Sequence, residues 1–223
     1  MRYLFIFDLH NTLVKDNDLA VANAMNSVLA VHGRNVRVDI EYVRNYQATL
    51  KPFGEYFRAV LPDASQREIE EMTLATKEMC EKFMIKRYVK KMDSAEEVLK
   101  EIRKRGDAIL VVSFSTIASI DIYLLVTGLD KYIDKRLGIE TSQEIHGDDD
   151  PAKVKAKLLE KHLKSTKTKY DRIFMIGDSV FDMQAGKVVG ATNIYFTKTG
   201  EVLDIADYSI DKLQDIIKIA YNN

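Results

Sequence analysis

Arg172-Ile173-Phe174-Met175-Ile176-Gly177-Asp178-Ser179-Val180-Phe181-Asp182-Met183-Gln184-Ala185-Gly186 is the stretch whose reading decides the fold. Residues Arg172–Ile176 form a short apolar run that does not alternate with polar residues. Such a run suits a strand covered on both faces, as in a parallel sheet. The run breaks at Gly177-Asp178-Ser179, and Gly177–Val189 reads as a helix. A strand passing through a glycine turn into a helix is one unit of an α/β fold.

Three more runs share this character: Tyr3–Phe7, Ala108–Val112 and Thr192–Phe196, with Lys135–Glu140 a weaker fifth strand. Helical segments lie between them. Ser94 and Glu97 spell a capping box at the start of a helix that ends near Arg105, ahead of Gly106. Ser115–Val126 reads as a helix stopped by Gly128. Asp150 and Pro151 read as N-cap and first helical position of a segment that carries Val154, Leu158, Leu159 and Leu163. Asp211–Tyr221 closes the set. Strand alternating with helix predicts an α/β fold with a doubly wound, Rossmann-like parallel sheet. Residues 15–90 break the alternation and show only helical patterns. There Ser65 and Glu68 spell a second capping box, and Ile69, Met72, Met79 and Phe83 recur at helical spacing, as packing between helices requires. The expected organisation is an α/β core, residues 1–14 and 90–223, with an all-helical insertion, residues 15–89.

Composition narrows the class. The 223 residues are 46% hydrophobic and 30% charged, with a net charge of −1. That balance excludes a general attraction to nucleic acid or to an anionic membrane. A single cysteine, Cys80, excludes an internal disulfide and fits a reducing compartment. The run Tyr3–Phe7 is too short for a signal peptide's apolar region. No run approaches the roughly 20 apolar residues of a membrane span. A cytoplasmic monomer or homodimer, with no nucleic-acid or membrane partner, is expected.

Open α/β sheets bind ligands at the carboxyl ends of their strands. The residues that follow the strand runs there are Asp8-Leu9-His10-Asn11-Thr12-Leu13, Ser113-Phe114-Ser115, and Gly177-Asp178-Ser179 with Asp182 one helical turn beyond. Each set alone is an ordinary turn or cap. Together they converge on one crevice. Carboxylates at adjacent strand ends repel one another unless a cation lies between them. Asp8 and Asp178, with Asp182 behind, make a hard-oxygen site suited to Mg²⁺.

This constellation resembles the haloacid dehalogenase superfamily of phosphohydrolases. Asp8-x-x-x-Thr12-Leu13 after a strand resembles the first motif and Ser113 the second. Gly177-Asp178-Ser179-Val180-Phe181-Asp182-Met183-Gln184-Ala185-Gly186 resembles the fourth, and the helical insertion sits where that family carries a mobile cap. The resemblance implies Mg²⁺-dependent hydrolysis of a small phosphorylated metabolite, a phosphate monoester, through an aspartyl-phosphate on Asp8. Mg²⁺ would lie between Asp8, the backbone carbonyl of His10 and Asp178. Asp182 would hold a metal-bound water or steady the motif lysine. Ser113 and the amide of Phe114 would donate to phosphate oxygens. For that lysine, Lys153, Lys155 and Lys157 are candidates, with Lys155 favoured and Lys153 second. In many members the lysine precedes the helix, where this chain has Asp148.

His10 departs from the family's phosphatases, which carry a second aspartate at that position to protonate the leaving group and activate water. Histidine's ordinary pKa of about 6.5 suits it to general acid/base work. The departure leaves two alternatives: dehalogenase or phosphonate hydrolase chemistry, the latter needing a cap lysine such as Lys51 or a neighbour for a Schiff base, and a catalytically weak phosphate-binding or regulatory protein. Retention of Asp178 argues for phosphorus chemistry. Arg44, Lys51 and Arg58, near Gly54, are the basic candidates for substrate selection.

Overall fold

The computed structural model describes residues 2–49, 52–139 and 150–221. Its elements run β1 (Tyr3–Phe7), β2 (Val14–Lys15), α1 (Asn17–Val31), α2 (Ile40–Thr49), α3 (Gly54–Val60) and α4 (Gln66–Met79). A π-helical turn, Cys80–Met84, leads to α5 (Ile85–Tyr88), β3 (Lys90–Lys91), α6 (Ala95–Lys104), β4 (Ala108–Thr116) and α7 (Ile117–Thr127). Then come β5 (Lys135–Ile139), α8 (Pro151–Ser165), β6 (Arg172–Gly177), α9 (Val180–Val188), β7 (Thr192–Phe196), β8 (Tyr208–Ile210) and α10 (Asp215–Tyr221). The described residues divide into two compact units, one holding the chain up to Lys15 and from Lys91 onward, the other Asp16–Lys90.

The first unit is an α/β fold around a six-stranded sheet in the order β5-β4-β1-β6-β7-β8, and every pairing is parallel. The chain starts at the centre with β1, fills one side with β4 and β5, then crosses to the other side of β1 for β6, β7 and β8. The switch point of the sheet therefore lies at β1, where ligand crevices form. Register is direct: Phe7 opposes Val111 on one side and Ile176 on the other. Phe5, Ile6, Phe7, Phe174, Met175 and Ile176 are wholly buried, as continuous apolar strands in a two-faced sheet must be. On one face Leu4, Ile6, Leu110, Val112 and Met175 pack with Ala156 and Leu159 of α8 and with Met183 and Ala185 of α9. Small residues on both helices let them lie close to the sheet.

Several boundaries differ from expectation. β8 carries no apolar run; it is three residues long and lies at the edge of the sheet. α7 begins at Ile117 because β4 continues to Thr116 after a shift in register beyond Val112. α10 begins at Asp215 and not at Asp211. The capping box at Ser94 does not form: Ser94 is left-handed, with φ of 62°, and gives α6 no side-chain cap. Its hydroxyl instead takes a hydrogen bond from the Gln214 amide.

The second unit is helical. Its core includes Met25, Leu29, Val43, Phe57, Ile69, Met72 and Ile85. Ser65 caps α4 by accepting the Glu68 amide at 3.2 Å, but the Glu68 carboxylate is taken by Arg34, so only half of the expected box exists. The apolar stripe also stops early. Ile69 and Met72 are buried, whereas Phe83 is 63% exposed. The π turn widens the helix there and rotates its face, so that Cys80 is buried instead. Among the described residues no helix is long and apolar enough to cross a membrane.

Candidate active site

β1 delivers Asp8 to the switch point. The Asp8 amide donates to the Ile176 carbonyl at 2.8 Å, which ties the end of β1 to β6. The chain then bends sharply: the Leu13 and Val14 amides both return to the Leu9 carbonyl, at 2.9 and 3.0 Å. Asn11 supplies the left-handed residue of that bend, with φ of 56°, a conformation that asparagine tolerates better than most. Leu9, Thr12 and Leu13 are wholly buried beneath it.

β6 ends at Gly177 and presents Asp178. Ser179 caps α9: its hydroxyl accepts the Asp182 amide at 3.3 Å, and the Asp182 carboxylate takes the Ser179 hydroxyl at 2.6 Å and amide at 3.1 Å. This capping box fixes Asp182 in the first turn of α9. Gly177 makes room for it, since a Cβ there would stand 2.4 Å from the Asp182 carboxylate.

α8 supplies the cation. Asp150 caps it through the Ala152 amide at 3.0 Å. Lys155 lies on the same face as Ala152, Ala156 and Leu159, and is buried. Its ammonium donates to Asp8 Oδ1 at 2.7 Å and to Asp182 Oδ1 at 2.5 Å, and lies 4.9 Å from the centre of the Phe114 ring. Lys153 and Lys157 are exposed, and Lys153 faces its own N-cap Asp150 at 3.6 Å. Asp148, the alternative lysine position, and Lys51 lie outside the described residues.

The carboxylate oxygens of Asp8, Asp178 and Asp182 come within 4.8 Å of one another. Burial pushes the Asp8 carboxyl up to about 6, with Lys155 opposing and Asp182 reinforcing the rise. Burial and the charges of Asp8 and Asp182 push Asp178 well above the usual carboxylate range. Burial alone would lower Lys155, but Asp182 and Asp8 hold it above the ordinary lysine range. Three acids facing one lysine leave uncompensated negative charge. Both Asp182 oxygens are engaged by Ser179 and Lys155, which leaves Asp8 and Asp178 as the hard oxygen donors suited to a divalent cation.

Ser113 is buried at the end of the straight part of β4, and its hydroxyl accepts the Ser115 amide at 3.2 Å. His10 stands edge-on to Tyr123 of α7, ring centres 4.8 Å apart. Its Nε2 is buried and finds no hydrogen-bond partner among the described residues. Burial, then the Lys155 charge, lowers the His10 imidazole to about 4. In the helical unit Arg44 pairs with Asp18 at 3.1 Å and Glu41 at 2.8 Å, and Arg58 with Glu55 at 3.5 Å. Sequence reading did not pick out Ser179 and Gly177 as the supports of Asp182. The signal was present, as a serine three residues before an acid at a helix start. The Tyr123 contact to His10 had no local signal.

Residues 5–196 match the family model described as haloacid dehalogenase-like hydrolase. The pyrophosphatase PpaX of Bacillus cereus is 22% identical over 222 residues, 97% of this chain and 95% of its own length. Two solved structures share the fold. CbbY from Rhodobacter sphaeroides, in complex with phosphate, superposes with a TM-score of 0.76 at 16% identity, covering 97% of this chain and 96% of its own. The HAD-hydrolase YfnB from Bacillus subtilis, bound to magnesium, gives 0.74 at 16% identity, covering 98% and 99%.

Proposed function

Because the chain belongs to the haloacid dehalogenase-like hydrolases, we propose that it is a phosphohydrolase that transfers the phosphoryl group of a small phosphorylated metabolite to Asp8. The observation that carries the reading is Lys155, buried and shared by Asp8 and Asp182 beside a third carboxylate, Asp178.

Asp8 is ionised at neutral pH, since its carboxyl titrates near 6. One oxygen attacks phosphorus as the bond to the leaving group breaks, and water then cleaves the aspartyl-phosphate to release phosphate and restore Asp8. Lys155 keeps the nucleophile oriented and offsets charge on the transferred group. Asp182, locked by Ser179, holds Lys155 in place. The Ser113 hydroxyl and the Phe114 amide orient the phosphate. Asp8, Asp178 and the His10 carbonyl would hold Mg²⁺, which when bound neutralises the acidic cluster and polarises the phosphoryl oxygens. The helical unit, inserted just after the first motif, would serve as the cap that selects the substrate.

His10 is neutral at pH 7. A neutral imidazole has no proton to give readily to a leaving group in the first step, and an imidazole lowered to about 4 is a weak base toward water in the second. Leaving groups that depart without protonation are therefore favoured. This supports a second reading of the substrate as a phosphoanhydride, in line with the relative named a pyrophosphatase.

Purified protein with Mg²⁺ is to be assayed on p-nitrophenyl phosphate, pyrophosphate and a panel of phosphate monoesters. Turnover abolished by chelation and by Asp8→Asn is expected. Turnover that survives either treatment, or halide release from a 2-haloacid in place of phosphate release, would overturn the reading.

A further inference from the structure

Ser113, Phe114 and Ser115 occupy the irregular end of β4, where the pairing to β5 skips from Val112 opposite Leu137 to Thr116 opposite Ile139. Three residues of β4 thus stand against one residue of β5, Gly138, and their backbone bows out of the ladder. Bulges of this kind re-aim side chains near active sites. What β5 places under the bow is decisive. A Cβ on Gly138 would lie 2.4 Å from the Ser115 carbonyl oxygen, 3.2 Å from the Ile117 amide and 2.8 Å from Ile120 Cδ1. The first two are backbone atoms, which no rotamer change can move away. Gly138 has an ordinary strand conformation, so its conformational freedom is not what the site uses. The use is space.

The bow holds two site groups in place at once. Its Ser115 amide donates to the Ser113 hydroxyl at 3.2 Å, which fixes that side chain. Its middle residue, Phe114, sets a ring 4.9 Å from the Lys155 ammonium. A shift of the Ser115 carbonyl therefore moves the Ser113 hydroxyl and loosens one wall around Lys155.

We propose that Gly138 is a positioning residue for phosphate binding: its missing side chain allows the Ser113–Ser115 backbone to seat against β5, and that seat aims Ser113 and Phe114 into the site. The inference rests on the phosphohydrolase reading of the site. Gly138 touches neither substrate nor reacting atoms, and its effect passes through the Ser115 backbone.

The test is inorganic phosphate binding with Mg²⁺ by calorimetry, alongside turnover of p-nitrophenyl phosphate. It compares wild type, Gly138→Ala, Ile120→Val, the Gly138→Ala/Ile120→Val double variant and Ser113→Ala. Ile120→Val removes the Cδ1 that the new Cβ would strike, so the double variant relieves the side-chain crowding and leaves the clash with the Ser115 carbonyl. Phosphate affinity and kcat/KM are expected to fall about 10- to 100-fold in both Gly138→Ala proteins, the scale of an ångström-level misplacement. A further protein, Ser113→Ala in the Gly138→Ala background, is expected to bind phosphate little more weakly than Gly138→Ala itself, because the hydroxyl is already displaced. Full recovery of phosphate binding in the double variant would overturn the proposal, because the fault would then lie in core crowding. Wild-type affinity in folded Gly138→Ala would overturn it too, as would loss of the folded state in both Gly138→Ala proteins, which would make Gly138 a folding residue. If the wild type neither binds phosphate nor turns over any phosphate substrate, the reading of the site itself fails and the proposal falls with it.

Discussion

Arg34 in the helical unit and Lys155 in the α/β unit each bridge two carboxylates. Arg34 reaches Asp63 at 2.8 Å and Glu68 at 2.7 Å, while Lys155 reaches Asp8 at 2.7 Å and Asp182 at 2.5 Å. In distance the two trios are nearly alike. In exposure they are not. The Asp63 side chain is 70% exposed and that of Arg34 26%, against 2% for Lys155 and 1% for Asp182. Water can take over any lost partner in the first trio, so its geometry is local decoration that ties the loops after α1 and before α4 to the first turn of α4. In the second, each charge depends on its protein neighbours. A buried acid cluster with too little positive charge is a poor way to stabilise a fold and a good way to hold a cation and a phosphoryl group.

Lys155→Met breaks the contrast most severely. It leaves Asp8 and Asp182 buried without their cation, a situation that costs about 3–5 kcal/mol. Chemical denaturation in the absence of metal is expected to show a loss of that order, and turnover is expected to fall roughly 10²–10³-fold or more. A variant as stable and active as wild type would mean that the cluster is hydrated in solution and that the comparison with Arg34 has no content.

Asp8 and His10 sharpen it through pH. The Asp8 carboxyl titrates near 6 in the fold, above its ordinary value of 3.8, so the folded state holds that proton more tightly than the unfolded chain. Ionised Asp8 therefore weakens the fold, and the cost grows as pH rises from about 4 to about 6 and is full above that. His10 runs the other way. Its imidazole titrates near 4 in the fold against 6.5 ordinarily, so the stability it protects is lost as pH falls from about 6.5 to about 4. Relative to metal-free wild type, Asp8→Asn is expected to gain stability as pH rises through that window and His10→Asn as pH falls through it. Each effect is on the order of 2–3 kcal/mol. Urea unfolding from pH 4 to pH 8 reads both, and parallel curves for the two variants would refute the assignment.

Gly177→Ala gives a smaller effect. The new Cβ has to displace the Asp182 carboxylate from 2.4 Å, an overpacking worth about 1–3 kcal/mol. Because Asp182 holds Lys155, turnover is expected to fall more steeply than stability. A melting curve and a kcat measurement on one preparation separate the two effects.

The unequal legibility of these features follows from range. The sheet is readable because β1, β4, β6 and β7 are buried on both faces and so carry continuous apolar runs, whereas β8 is a three-residue edge strand without one. The gathering of Asp8, Asp178 and Asp182 follows from strand ends meeting at the switch point. The choice among Lys153, Lys155 and Lys157 was partly written in α8, since Lys155 shares its face with Ala152, Ala156 and Leu159, and a lysine on an apolar face has to find a buried partner. The Tyr123 seat of His10 and the Gly138 seat of Ser115 depend on residues brought together from distant parts of the chain. Propensity misled where a competing partner won: Ser94 turned to Gln214, and Glu68 to Arg34.

The smallest effect belongs to the trio on the helical surface. Arg34→Ala removes a charge-assisted pair to Glu68 and a single bond to Asp63. Glu68 and Asp63 hold the arginine more firmly in its protonated form and the arginine lowers both acids, chiefly through these hydrogen bonds, but the freed carboxylates are met by solvent and by salt. The melting temperature is expected to drop by about 1–2 °C at low ionic strength and by less in 0.5 M salt, where exposed pairs are screened. Turnover is expected to be unchanged. If Arg34→Ala instead destabilises the protein as much as Lys155→Met, and does so at all salt concentrations, then exposure does not separate the two trios, and the electrostatic case for a functional site at Lys155 loses its control.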